Sequence, residues 1–118
     1  MISAFAELKE SREHLISLFS TGAISEHFQE NYTDIMDQYF RRSLQLSKTG
    51  QQLFKEKIPC VFMAVGGYGR MELCIHSDID ILILFGSKMP VRAKNLSDEI
   101  FLPLWDMGLD LGYGIHVP

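Results

Sequence analysis

The stretch from Phe62 to Phe85, FMAVGGYGRMELCIHSDIDILILF, constrains the fold of this chain more than any other. Two apolar runs flank a paired glycine, Gly66 and Gly67, and a pair of acids one residue apart, Asp78 and Asp80. A buried strand ending in a tight glycine turn, a short polar connection, and a second buried strand opening on two acids account for that order. Side chains of a strand alternate with period two, so Asp78 and Asp80 point to one face while Ile79 and Ile81 point to the other. Neighbouring carboxylates repel unless a cation sits between them. Hard oxygen ligands on one strand face suit a divalent metal such as Mg2+, which also carries substrate phosphates. The competing reading of an isolated D-x-D is two solvated acids at a strand start.

The rest of the chain sets limits on what surrounds this stretch. With 118 residues, 47% of them hydrophobic, there is material for about one domain and one modest core. A net charge of −4 disfavours a protein that coats nucleic acid, which carries a basic stripe. The longest apolar run, Ile81 to Phe85, falls far short of the roughly 20 residues needed to span a bilayer. The N-terminus has charged residues where a signal peptide would be apolar, so no membrane partner and a cytoplasmic location are expected. Cys60 and Cys74 lack the spacing of a zinc site and are expected as core thiols.

Apolar positions at helical spacing predict a first helix over Ala4 to Phe19, with Ser3 as its cap, and a second from about Ser25 to Leu46, with Ser25 as its cap. The Tyr and Phe stripe of the second helix is expected to pack against the core rather than form a ligand platform. Ser47 to Lys57 reads as the end of that helix or a further turn, and it is the only plausible boundary. This divides the chain into an N-terminal helical segment, 1–50, and a core, 51–118. Pro59 opens the strand Cys60 to Val65, whose continuous apolar character predicts cover on both faces. Tyr68 to Leu73 reads as a short helix or turn whose N–H groups face the glycines, a phosphate-sized site. A second strand over Asp78 to Phe85 follows, then a loop, then a helix over Val91 to Met107 that Pro103 is expected to interrupt. Leu109 to Val117 alternates cleanly and predicts a third strand, with Asp110, Gly112, Gly114 and His116 on a small polar face.

Ten residues separate Gly67 from Asp78, and the pattern of G-G, spacer and D-x-D resembles the DNA polymerase beta superfamily of nucleotidyltransferases. Within it, GGYGRMEL followed by SDIDILIL is similar to the nucleotidyltransferase domain of the bifunctional uridylyltransferase that modifies the PII regulatory protein. The later LWDMGLDLGYGIH resembles the same domain, so the likeness runs from Val61 to Val117. The fold this implies is α/β (α+β), a polymerase-beta-type palm with a small mixed sheet, preceded by two N-terminal helices.

The resemblance also implies roles. Gly66 and Gly67 would let the backbone approach a nucleoside triphosphate, UTP being favoured. Asp78 and Asp80 would hold Mg2+. Arg70 and Ser77 are candidates for phosphate contacts, although Arg70 could equally pair with Glu72. A third carboxylate on a neighbouring strand would assist the attacking hydroxyl; Asp110 is the candidate, with Asp106 nearby. His76 and His116 have two readings each, a phosphate or metal contact and an ordinary surface histidine. Met71 stands where the family has a small residue, and Cys74-Ile75-His76 replaces a more polar approach to S-D-x-D. The implied activity is Mg2+-dependent transfer of UMP to a protein acceptor such as a PII-like regulator, in nitrogen regulation. The alternative is a catalytically incomplete nucleotide-sensing or protein-interaction module of the same fold. The family continues through several further domains, so the chain reads as a fragment or a minimal stand-alone domain, with truncation at the C-terminus, and loss of activity if the substrate-gripping helices lie beyond it, as the favoured expectation.

Overall fold

The computed structural model of the chain describes residues 3–21, 27–74, 77–86 and 88–117. The first helix, α1 (Ala4–Ser20), starts where the Ser3 hydroxyl accepts the Ala6 N–H at 3.1 Å, the expected cap. The second, α2 (Phe28–Leu46), buries Tyr32, Met36, Tyr39 and Phe40, which lie on one stripe at helical spacing. Ser25, expected as its cap, lies outside the described residues. The aromatic stripe is core, as its spacing implies. The Tyr39 hydroxyl donates to the Ile100 carbonyl at 2.6 Å, and burial pushes its pKa up, so it remains a donor.

Among the described residues three helices, not two, precede the sheet. Ser47 ends α2 and caps a separate helix, α3 (Lys48–Lys55), its hydroxyl accepting the Gly50 N–H at 2.9 Å. Gly50 marks no helix end: a Cβ there would come within 2.7 Å of the Leu44 carbonyl oxygen, so its bareness lets α3 fold back against α2. The Thr49 hydroxyl donates to Glu99 at 2.8 Å, and the Ser47 hydroxyl donates to the same carboxylate. The α3 helix closes in a Schellman motif, with the Ile58 N–H on the Leu53 carbonyl and the Lys57 N–H on the Phe54 carbonyl, both at 3.0 Å. Lys57 holds the left-handed position of that motif at φ 58°, where glycine is favoured. Lys57→Gly is therefore expected to stabilise the chain by about 0.5–1 kcal/mol net, the relieved strain outweighing glycine's extra unfolded-state entropy. A higher urea midpoint at unchanged slope would show it.

The sheet has strand order β1 (Cys60–Val65), β2 (Ile79–Phe85), β3 (Leu111–His116), with β1 antiparallel and β3 parallel to the central β2. A short helix, α4 (Gly66–Gly69), follows β1 directly. A parallel pair needs a crossover, and α5 (Ala93–Asp106) supplies it. This helix runs unbroken through Pro103, contrary to the expected interruption. Proline removes one N–H from the ladder, but Ile100, Phe101 and Leu104 are fully buried around it, and their packing holds the helix together.

One face of the sheet carries the core. Ile79, Ile81, Ile83 and Phe85 are buried and alternate with half-exposed residues along β2. Phe101 stacks on Tyr113 of β3 at 4.6 Å between ring centroids and on Phe62 of β1 at 6.5 Å, while Phe40 of α2 lies 6.0 Å from Phe101. The other face is not covered as the apolar runs imply: Val61 is 55% exposed and Met63 44%. Rings from α2 and α5 meet the strands on the same side, and apolar runs alone do not distinguish one covered face from two. Cys60 is half-buried, and burial raises its thiol pKa. Cys74 is exposed rather than in the core. Among the described residues, no helix is long and apolar enough to cross a membrane.

Candidate nucleotidyl-transfer site

Asp80 is the central side chain of the site, and its backbone register explains why. It pairs with Val65 of β1 on one side and with Gly112 of β3 on the other. Gly66, the residue after Val65, adopts φ 59°, and a Cβ there would lie 2.9 Å from Asp80 Oδ2. A Cβ on Gly112 would lie 2.4 Å from Asp80 Oδ1. The Asp80 carboxylate thus occupies a slot between two glycines, one oxygen against each. Gly112 was not marked as a site residue by its sequence context; the signal available was the run of small residues on one face of the third strand.

The two glycines of the pair have different work to do. Gly66 is required by its own conformation and by the carboxylate beside it, whereas a Cβ on Gly67 would meet nothing within 4 Å. Gly66→Ala is expected to cost about 1–2 kcal/mol from the left-handed conformation alone. Gly67→Ala should leave stability within about 1 kcal/mol of the parent, glycine being no better than alanine in a helix. Urea unfolding of both variants checks the contrast. A loss of nucleotide affinity in Gly67→Ala without loss of stability would report the approach of a ligand to that backbone.

The glycine turn is anchored from below. Gly69 packs so closely that a Cβ would come within 2.7 Å of the Ala64 carbonyl oxygen. Tyr68 is buried, and its hydroxyl donates to Asp37 of α2 at 2.6 Å. Burial, with the Asp37 carboxylate adding to it, pushes the Tyr68 pKa far up, so the phenol stays protonated and holds α4 to α2. The helical turn ends sooner than Leu73, in a second Schellman motif: the Glu72 N–H meets the Gly67 carbonyl at 2.9 Å, and Met71 takes the left-handed position at φ 60°.

The other expected site residues are distributed as follows. Arg70 is exposed and pairs with Glu72, Nε to Oε2 at 3.3 Å, an exposed pair of little energetic weight. The Ser77 hydroxyl accepts the Cys74 N–H at 2.9 Å, two residues before β2 begins. Asp78 is exposed and immediately precedes β2, where strand alternation directs it to the face of Asp80. The Asp110 carbonyl accepts the Ile79 N–H at 2.9 Å, which brings the start of β3 alongside the start of β2. Extending the Asp80–Gly112 register by two residues sets Asp110 opposite Asp78. Asp106, the other candidate, is the last residue of α5 and not on the sheet.

His76 lies outside the described residues. His116 pairs with Leu84, four residues beyond Asp80, about 13 Å along the strand, and it lies over Gly114. Among the described residues, no three His, Cys, Asp or Glu side chains converge closely enough to hold a metal ion. The arrangement offers two anionic side chains at the mouth of a glycine turn, at the end of the sheet where β1 stops and β2 begins.

A family model described as "Putative nucleotidyltransferase DUF294" matches residues 9–113. The chain belongs to this nucleotidyltransferase family. The match takes in most of α1, all of α2 and α3, the glycine turn, the acid pair and the first half of β3, so the N-terminal helices belong to the family domain as well. Among curated proteins, the bifunctional uridylyltransferase/uridylyl-removing enzyme of Vibrio campbellii is 34% identical over 93% of this chain and 12% of its own length. Its namesake from Pseudomonas aeruginosa is 30% identical over 98% of this chain and 12% of its own. That of Methylococcus capsulatus is 51% identical over 48% of this chain and 6% of its own. The chain therefore spans about an eighth of the length of the Vibrio campbellii and Pseudomonas aeruginosa relatives. No solved structure matches it.

Proposed function

We propose that the chain is the nucleotide-handling core of a Mg2+-dependent nucleotidyltransferase that moves UMP from UTP to a hydroxyl of a PII-like regulatory protein. Such a role belongs to cytoplasmic nitrogen regulation. The observation that carries the reading is the Asp80 carboxylate held between Gly66 and Gly112 beside Asp78, within a chain whose relatives are named uridylyltransferases. Mg2+ fits this donor set, since it favours one or two carboxylates with the remaining positions taken by water and substrate phosphates. When bound, it would neutralise charge on the triphosphate and the departing pyrophosphate.

The chain's own residues would do the rest. Asp78 and Asp80 present hard oxygens on one face, and the bare backbone at Gly66 and Gly67 leaves room for the phosphates. Arg70, once released from its exposed pair with Glu72, and Ser77 would supply phosphate contacts from the same connection. The acceptor oxygen bonds to the α-phosphorus as the α–β bridging bond breaks and pyrophosphate leaves, and Asp110 is the group assigned to take the hydroxyl proton. A second reading, a nucleotide-sensing module without chemistry, is favoured by the absence of a third converging metal ligand among the described residues.

The two readings separate when the full chain is incubated with Mg2+, each α-labelled nucleoside triphosphate and a PII-like acceptor. UMP transfer that disappears in Asp78→Ala and Asp80→Ala supports the enzyme, and Mg2+-dependent nucleotide binding without transfer supports the sensor. An absence of Mg2+-dependent nucleotide binding would sink the site assignment.

A further inference from the structure

A groove of about 1040 Å3 lies between the end of α2, α3 and the start of β1, at the opposite end of β1 from the glycine turn. Its floor is apolar, from Leu44, Leu53 and Ile58, and Phe54 stands at its edge 84% exposed. A second cavity of about 400 Å3 shares Leu53, Lys57, Ile58 and Pro59 with it and reaches Val91, which is fully exposed. Large apolar side chains left this bare around a concavity mark a binding surface rather than scattered surface residues.

The charges around the groove run against those of the chain. The whole protein is acidic, with 15 Asp and Glu against 11 Lys and Arg. Around these two adjoining cavities stand Lys55, Lys57, Lys88 and Arg92, and among the described residues Glu56 is the sole acid in the lining. Glu56 is taken up by Arg92, Nη2 to Oε1 at 2.7 Å, and among the described residues Lys55, Lys57 and Lys88 have no carboxylate within ion-pair distance. Lys57 also occupies a left-handed position that glycine would fill with less strain, so its side chain is kept at a conformational cost.

We infer that this groove docks an amphipathic helix of a protein partner, its apolar stripe on the floor of Leu44 and Ile58 and against the Phe54 ring at the edge, and its flanking Asp and Glu residues on the lysine rim. A helix of about 10–12 Å diameter occupies roughly 500 Å3 per turn, so the main groove takes about two turns. The concavity favours a helix over an anionic bilayer, which would need a convex or flat basic surface. The surface lies at the far end of the sheet from Asp80, so this inference is independent of the nucleotidyl-transfer reading.

The test uses the full chain and a labelled, helix-forming 14-residue peptide with leucines at i, i+3, i+4 and i+7 and glutamates beside them. A version with lysines for the glutamates is the control. The acidic peptide should bind at least tenfold more tightly than the basic one, more weakly as salt rises. Phe54→Ser and the Lys57→Glu/Lys88→Glu pair should each weaken binding tenfold or more without lowering the melting temperature. Lys57→Gly should raise the melting temperature and weaken binding together, opposite signs that a purely structural lysine would not produce. Equal binding of both peptides, or indifference to these substitutions, overturns the proposal. Self-association in sedimentation that Phe54→Ser abolishes would assign the groove to a second copy instead. Binding to phosphatidylserine vesicles but not to the peptide would assign it to a membrane surface.

Discussion

Asp80→Asn is expected to reduce nucleotidyl transfer by about a thousandfold or more while leaving the fold intact. Asparagine keeps the shape that fits between Gly66 and Gly112, so the slot is not emptied and the strand register is not disturbed. What is lost is the negative charge and one hard oxygen. A divalent ion at a phosphoryl group supplies several kcal/mol of transition-state stabilisation, and about 4 kcal/mol corresponds to a factor of about a thousand in rate. Label transfer and thermal unfolding measured on the same preparation check both halves. Transfer at the parental rate in Asp80→Asn would remove this carboxylate from the chemistry. Asp110→Asn belongs in the same experiment: a large loss there would identify Asp110 as the third acid, and parental activity would move that role to another residue.

Phe101→Ala carries the largest expected loss of stability, about 3–5 kcal/mol. Its ring is fully buried and touches three elements at once: Tyr113 on β3, Phe62 on β1 and Phe40 on α2. Removing it leaves a cavity at the point where the crossover helix, both outer strands and α2 meet. Domains of this size are stable by about 5–15 kcal/mol in total, so the substitution takes away a large share. A fall in melting temperature of more than about 10 °C is expected. Trp105→Ala serves as the comparison. Trp105 lies on the same helix and contacts Phe101 at 6.4 Å, but it is 40% exposed and should cost a fraction as much. Equal effects would mean that the aromatic cluster is not the centre of the core.

Much of the fold is legible before any coordinates, and the particular residues show why. The spacing of Tyr32, Met36, Tyr39 and Phe40 is a helical stripe whatever it packs against, and the alternation from Leu111 to His116 is a strand whatever its neighbours. Ser3 reads as a cap because its hydroxyl needs only the local N–H three residues on. Pro103 misled for the opposite reason: proline's local penalty is real, but Ile100, Phe101 and Leu104 outweigh it through contacts distant in sequence. The helix over Lys48 to Lys55 was hidden because Gly50 looks like a stop; only the approach of the Leu44 carbonyl shows it to be a packing glycine.

The candidate site divides in the same way. Period-two geometry within one strand makes Asp78 and Asp80 a pair on one face, and the left-handed preference of glycine marks Gly66 as a turn; both are local and both are written in the sequence. That Gly112 forms the other wall around Asp80 depends on β3 pairing with β2 in parallel at a particular register. A crossover helix sets that pairing, and no nearest-neighbour rule encodes it. The exposure of Cys74, the single-sided cover of the sheet and the basic groove beside Phe54 belong to the tertiary structure alone. Each depends on which distant elements come together, whereas periodicity, caps and turn residues act over a few residues of chain.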